Sequence, residues 1–171
     1  MTKFDTLCTA YKTSRKTNFS YRDEGINFAR ELIAKYIKFL EVPEDYFRFV
    51  PMDETPKSNT TYSLFGAIHL NDDTYWHLGL QLTLFTAPNE YPRQPILIVF
   101  RFKQIADKKF EVKISEEDSG HQISCGIESE FNDFFEFLQK QIVASFEDGL
   151  QEFLEQSAPL RTIGFVQVKN A

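Results

Sequence analysis

Apolar residues recur at helical spacing in the first third of the chain. Between Asp23 and Glu41 they cover about half of the helix circumference at 100° per residue, and Asp23 is a suitable N-cap. Pro43 ends the pattern. Residues 1–20 are polar with scattered aromatics, so we predict an irregular arm there. The stripe consists of Ile26, Ala29, Ile33, Tyr36, Ile37 and Leu40, widened by Phe28, Leu32 and Phe39.

Apolar and polar residues alternate on both sides of a turn at residues 71–74, which predicts a β-hairpin of strands 62–70 and 75–85. Matching the apolar faces of the two strands places Leu70 beside Trp76 and Ile68 near Leu78. The same register sets His69 opposite His77. Further strands are predicted at 46–52 on the edge, at 96–103 in the centre, at 109–114, and at 162–168 as an edge strand or docked tail.

A second helical stripe begins near Ser129, and Gly149 is expected to end or kink that helix. The order of elements predicts an α+β fold in which residues 1–171 form a single domain. It consists of an antiparallel four- to five-stranded meander sheet flanked by an N-terminal helix and a long C-terminal helical region. The buried stripe of the second helix contains Phe131, Phe134, Phe135, Leu138, Ile142 and Phe146.

Composition narrows the classes of function. With 42% apolar residues and 18 Phe, the chain can bury an aromatic-rich core. A net charge of −6 disfavours nucleic-acid binding. The sequence shows no signal-peptide pattern and no membrane-span pattern, so we expect a cytoplasmic protein with Cys8 and Cys125 as free thiols and no contact with membranes. We find no cofactor motif and expect none to bind.

One segment resembles a known family. Residues 82–95 read LTLFTAPNEYPRQP and precede the apolar run 96–100. This strand, Tyr-Pro-x-x-Pro, strand order resembles ubiquitin-conjugating enzymes and their inert relatives, the RWD domains. The resemblance spans the middle half of the chain and implies a helix followed by a four-stranded meander. It also implies an acyl-accepting cysteine, for which Cys125 is the candidate, with His121 lowering its pKa.

Two other patterns carry candidate chemistry. His69 and His77 are weak candidates for sharing a metal ion, with an oxygen from Asp72 or Asp73. Glu111-Val112-Lys113 resembles the acid–lysine pair of PD-(D/E)xK nucleases, in which the two residues hold a metal and activate water. Surface histidines and an exposed strand face explain these residues better, because no third ligand has suitable spacing. We therefore predict no metal site.

The missing catalytic motifs favour a non-enzymatic protein-interaction domain, with a homodimer as one form. The family's His-Pro-Asn triplet is absent, which favours a binding-only relative. The expected surface is either the outer sheet face around Phe65, Tyr75, His77 and Phe85 or the late helix. The alternatives are an acyl carrier using Cys125, the nuclease, and a domain that binds a small ligand between sheet and helix.

Overall fold

The computed structural model describes residues 1–53, 57, 60–87, 90–156 and 165–167, with the backbone alone for 149–156 and 165–167. The fold is α+β, as predicted. Its elements are α1 (Lys3–Leu40), a 3-10 turn (Glu44–Tyr46), β1 (Phe47–Val50), α2 (Leu64–Ala67), β2 (His69–Leu70), β3 (Trp76–Phe85), β4 (Arg93–Ala106), β5 (Lys109–Lys113), β6 (His121–Ser124), α3 (Glu128–Gln156) and β7 (Phe165–Gln167). None of the described helices is both long and apolar enough to cross a bilayer.

The sheet is antiparallel in the order β1-β3-β4-β5-β6. The short strand β2 also pairs with β3, and β7 pairs with β4 along residues 96–98. The sequence prediction that β4 is central is confirmed. Leu78 and Leu80 on β3 are fully buried, and Leu82 is nearly so. The leucine-bearing face of β3 therefore lies in the core, as its alternation predicts.

Aromatic rings join α1 and α3 to the same face of the sheet. Phe28 of α1 stacks on Phe110 of β5 with ring centroids 4.0 Å apart and also contacts Phe102 and Phe131. Further along α1, Tyr36 packs against Phe100 of β4 and Phe135 of α3. Such pairs add about 0.5–1.5 kcal/mol each to the free energy gained from burial alone. Both helices are thus fixed on the sheet by aromatic contacts.

The predicted irregular arm at residues 1–20 is wrong, because α1 already begins at Lys3. Thr2 and Asp5 form a capping box in which each side chain accepts a hydrogen bond from the other residue's backbone amide. Asp23 lies inside the helix and does not cap it. A box that satisfies two N-terminal amides starts the helix twenty residues earlier than the apolar stripe suggested.

The strand predicted at 62–70 is also largely wrong. The Ser63 hydroxyl accepts a hydrogen bond from the Gly66 amide and caps the short helix α2, so only His69 and Leu70 of this segment form strand β2. The predicted register is confirmed, since Leu70 pairs with Trp76 and His69 with His77.

Other element boundaries differ from the sequence predictions. Strand β6 was missed, and α3 neither ends nor breaks at Gly149 but continues to Gln156. Strand β7 lies within the predicted edge strand 162–168, of which residues 162–164 and 168 lie outside the described residues. The predicted edge strand at 46–52 is confirmed as β1.

Candidate functional site

Cys125 follows β6 and is half-buried against the core. Burial and the nearby carboxylate of Glu31 raise the pKa of the Cys125 thiol. Glu31 is close because its Oε1 accepts a hydrogen bond of 3.0 Å from the Gly126 amide. A raised pKa keeps the thiol protonated near neutral pH, whereas a nucleophilic cysteine needs the thiolate.

His121 occupies the opposite end of β6 from Cys125. Three residues of extended strand, about 10 Å, separate His121 from Ser124, the residue before Cys125. The imidazole packs on Phe137 and Phe134 of α3, with ring centroids 4.4 and 5.1 Å away, and lies 3.6 Å from Asp118. The sequence-predicted pair is therefore not brought together.

His69 and His77 face each other as predicted, on the side of the sheet opposite the helices. Their rings are nearly parallel with centroids 6.3 Å apart. Each has its own carboxylate: His77 Nε2 lies 2.7 Å from Asp73, and His69 Nδ1 lies 3.6 Å from Asp53. Within the described part of the chain, no three His, Cys, Asp or Glu side chains are grouped to hold a metal ion.

Asp73 also accepts a hydrogen bond from the backbone amide of Tyr75. Partial burial opposes ionisation of Asp73, but the bonds from Tyr75 and His77 outweigh it and lower the pKa of the carboxyl. This carboxylate thus interacts both with the backbone of the turn before β3 and with the buried His77.

Glu111 and Lys113 interact with each other and with Tyr75. The Tyr75 hydroxyl donates a hydrogen bond of 3.0 Å to Glu111 Oε1, and Lys113 Nζ lies 3.4 Å from the same oxygen. Burial and this hydrogen bond raise the pKa of Tyr75. One oxygen of the Glu111 carboxylate, Oε1, thus contacts both Tyr75 and Lys113.

The four residues of the predicted binding surface do not form one surface. Phe65 is 57% exposed on α2, where the Arg22 guanidinium covers its ring, while His77 is buried. Tyr75 directly precedes β3 and Phe85 is its last residue, so the two lie roughly 33 Å apart along the strand. Phe85 contacts Tyr46 at its end of the sheet.

That end of the sheet contains an apolar cleft of about 500 Å³. It opens where the C-terminal end of α1, the end of β3 and α3 meet, and Phe85 is one of its walls. Val143 and Phe146 of α3 remain 44% and 42% exposed there. Other lining residues are Tyr36, Leu40, Pro43, Leu82, Leu84 and Ile142. The late helix expected as a working surface is the part of α3 after Phe146, and the side chains of residues 149–156 lie outside the described part of the chain.

The buried floor of the cleft includes one polar group. The Tyr36 side chain is fully buried, and its hydroxyl has no hydrogen-bond partner among the residues that the structure describes. Burial raises the pKa of Tyr36 above its usual range. The hydroxyl therefore stays protonated.

The second exposed apolar feature is the N-terminal part of α1, residues 3–20, here called the arm. All of its residues are exposed, including Phe4, Leu7, Tyr11 and Phe19 at 71%, 68%, 65% and 51%. At 100° per residue these four lie within about 60° of one line along the helix. Ile26, Ala29 and Ile33, which face the core, continue the same line. One apolar stripe thus runs the length of α1, and only its C-terminal half is covered.

The arm and α3 carry opposite charge. Residues 3–20 contain four Lys or Arg and one Asp, a net charge of +3, whereas residues 128–148 contain six Asp or Glu and one Lys, a net charge of −5. Glu147 and Asp148 are exposed directly after Phe146, and Glu41 lines the cleft from α1. Three acidic residues therefore lie at the cleft or next to it in sequence. Sequence reading missed the arm because its four apolar residues are separated by many polar ones.

Comparisons of this chain with protein-family models, with curated proteins and with solved structures gave no match.

Proposed function

We propose that this chain is a non-enzymatic protein-interaction domain that binds through exposed apolar surface on α1 and α3. The observation that carries the proposal is the continuous stripe on α1, buried against the sheet beyond residue 20 and exposed before it. The stripe changes from exposed to buried at Tyr21, whose ring stacks on Trp76 with the ring centroids 6.1 Å apart. Partner binding accounts for such a half-covered stripe.

The energetics favour a covered arm. Burying a Phe or Leu side chain stabilises a protein by about 1.5–3 kcal/mol. The arm has about five helical turns, and a helix of that length is only marginally stable in water without tertiary packing. A partner that covers Phe4, Leu7, Tyr11 and Phe19 would therefore stabilise both the helix and the complex. Isolated surface hydrophobics need no explanation, but four that are aligned along one side of a helix support an interaction site.

The catalytic alternatives have weaker support. An acyl carrier needs an activated Cys125, and burial and Glu31 act in the opposite direction. A PD-(D/E)xK nuclease needs a partner carboxylate beside Glu111, and no group of three His, Cys, Asp or Glu side chains that could hold a metal ion occurs among the described residues. Both cysteines are unpaired, which fits a reducing compartment, so we place the domain in the cytoplasm.

Site-specific photo-crosslinking in the cells that make the protein tests this function. The photoreactive residue replaces Phe146 at the cleft or, as the control, Ile105 at the far end of β4, which is similarly exposed. We expect a polypeptide adduct from position 146 and none from position 105. Absence of any adduct from position 146, or equal adducts from both positions, would refute the proposal.

A further inference from the structure

The arm cannot reach the cleft of its own chain. The helix is continuous from Lys3 to Leu40, and Tyr11 lies 25 residues before Tyr36, about 38 Å along a straight axis. The arm begins beyond Trp76, at the start of β3, whereas the cleft lies at the end of β3. The arm of one chain can therefore reach a cleft only on another copy of the chain.

We propose that the cleft holds the arm of a second copy of this chain, and that the two copies exchange arms reciprocally. Because the arm and the cleft lie at opposite ends of α1, two antiparallel copies related by a two-fold axis place each arm at the other's cleft. In such an isologous arrangement each arm contacts the cleft of the other copy, so the assembly is complete at two chains. This inference rests on the proposed function and names the partner.

The two surfaces match in chemistry. The arm offers Leu7 and Tyr11 on its apolar line, and the cleft offers Val143 and Phe146. Arg15 lies over the Tyr11 ring at 5.9 Å, so a positive charge accompanies the stripe. Docking sets the basic arm, with a net charge of +3, against Glu41, which lines the cleft, and against Glu147 and Asp148, which follow Phe146. This complementarity favours a second copy over an unrelated apolar partner.

The size of the contact suits a specific dimer. The arm is about 27 Å long and roughly 10 Å wide. Two such faces and the two surfaces that they cover would bury on the order of 1,000 Å², which is the lower bound for a specific interface.

Sedimentation equilibrium of the full chain tests the exchange with matched variants. Tyr11→Glu places a charge on the apolar line, and Thr13→Glu places the same charge on the opposite side of the arm. Phe146→Glu alters the cleft, and Ile105→Glu is its control. We expect a wild-type dimer whose dissociation constant rises more than about tenfold in Tyr11→Glu and in Phe146→Glu, since interface aromatics often contribute about 2 kcal/mol or more. Each control should stay within about threefold of wild type.

Exchanging the charges of the arm and of the residues after Phe146 distinguishes a lost contact from a misfolded variant. Lys12→Glu with Lys16→Glu, and separately Glu147→Lys with Asp148→Lys, should each weaken the dimer, and all four together should restore it. No restoration, or a dimer broken by Tyr11→Glu but unaffected by Phe146→Glu, overturns the arm-in-cleft contact. A wild-type monomer or an open-ended polymer overturns the closed exchange. A monomer that still crosslinks to another protein from position 146 would leave the proposed function standing, whereas a monomer without that adduct would end both.

Discussion

Gly25 of α1 lies close to the indole of Trp76. A Cβ atom at this position would lie 2.7 Å from Nε1 and 2.9 Å from Cε2 of that buried ring. Both distances are well inside van der Waals contact, and the ring is fixed between α1 and the sheet. The substitution Gly25→Ala therefore forces the helix and the indole apart, near the point where the arm ends and the buried part of α1 begins.

Two opposing effects determine how much Gly25→Ala changes the free energy of unfolding. Alanine is favoured over glycine inside a helix by about 1 kcal/mol. Overpacking of a filled site costs about 1–3 kcal/mol. We therefore expect Gly25→Ala to lower the free energy of unfolding by about 1 kcal/mol, against the direction that helix propensity alone predicts.

Urea unfolding followed by Trp76 fluorescence measures the free energy of unfolding of wild type and of Gly25→Ala, because Trp76 is the single tryptophan of the chain. The control repeats the substitution in a Trp76→Phe background, followed by circular dichroism. There the clash with the indole is absent, and Gly25→Ala should stabilise by up to about 1 kcal/mol. If Gly25→Ala stabilises the protein with Trp76 in place, the packing of α1 on β3 described above is incorrect.

Three further predictions concern single side chains. Tyr36→Phe removes a buried hydroxyl without a described partner, so thermal unfolding should show unchanged stability or a gain of about 1 kcal/mol; a loss above that size would reveal a partner for the hydroxyl. Cys125 should react with a maleimide more slowly than the exposed Cys8, and Glu31→Gln should accelerate it, because Glu31 contributes to the raised pKa of this thiol. Equal rates for the two thiols would contradict the burial of Cys125. The pKa of Asp73 is lower in the folded than in the unfolded chain, so its stabilising effect is present above the unfolded pKa and disappears as the pH falls through the folded pKa. Asp73→Asn should flatten the acid side of the curve of unfolding free energy against pH, and an unchanged curve would refute that contribution.

The sequence predicts those parts of the fold where burial is periodic. Strand β3 alternates because one face meets the helices, and the register of His69 with His77 follows from matching apolar faces. The N-terminal end of α1 could not be found in this way, because the arm buries nothing within its own chain. The feature that indicates where α1 begins is the capping box of Thr2 and Asp5.

The candidate site was less predictable than the fold. The late helix was named as a possible surface, but the cleft depends on three elements distant in sequence: the end of α1, the end of β3 and the middle of α3. The His121 and Cys125 pair is close in sequence yet separated by an extended strand. Spacing along the chain could not reveal that, because β6 was not predicted.

Spin-label distances within a mixed dimer report directly on the reciprocal exchange of arms. One chain carries the label on its native Cys8 in a Cys125→Ser background. The other carries Cys8→Ser, Cys125→Ser and Val143→Cys and is labelled at position 143. Reciprocal exchange predicts a short distance between these labels across the two chains, and a Cys8 to Cys8 distance of roughly 50 Å in the doubly Cys8-labelled dimer, set by the length of α1. A short Cys8 to Cys8 distance together with a long distance to position 143 would contradict the account.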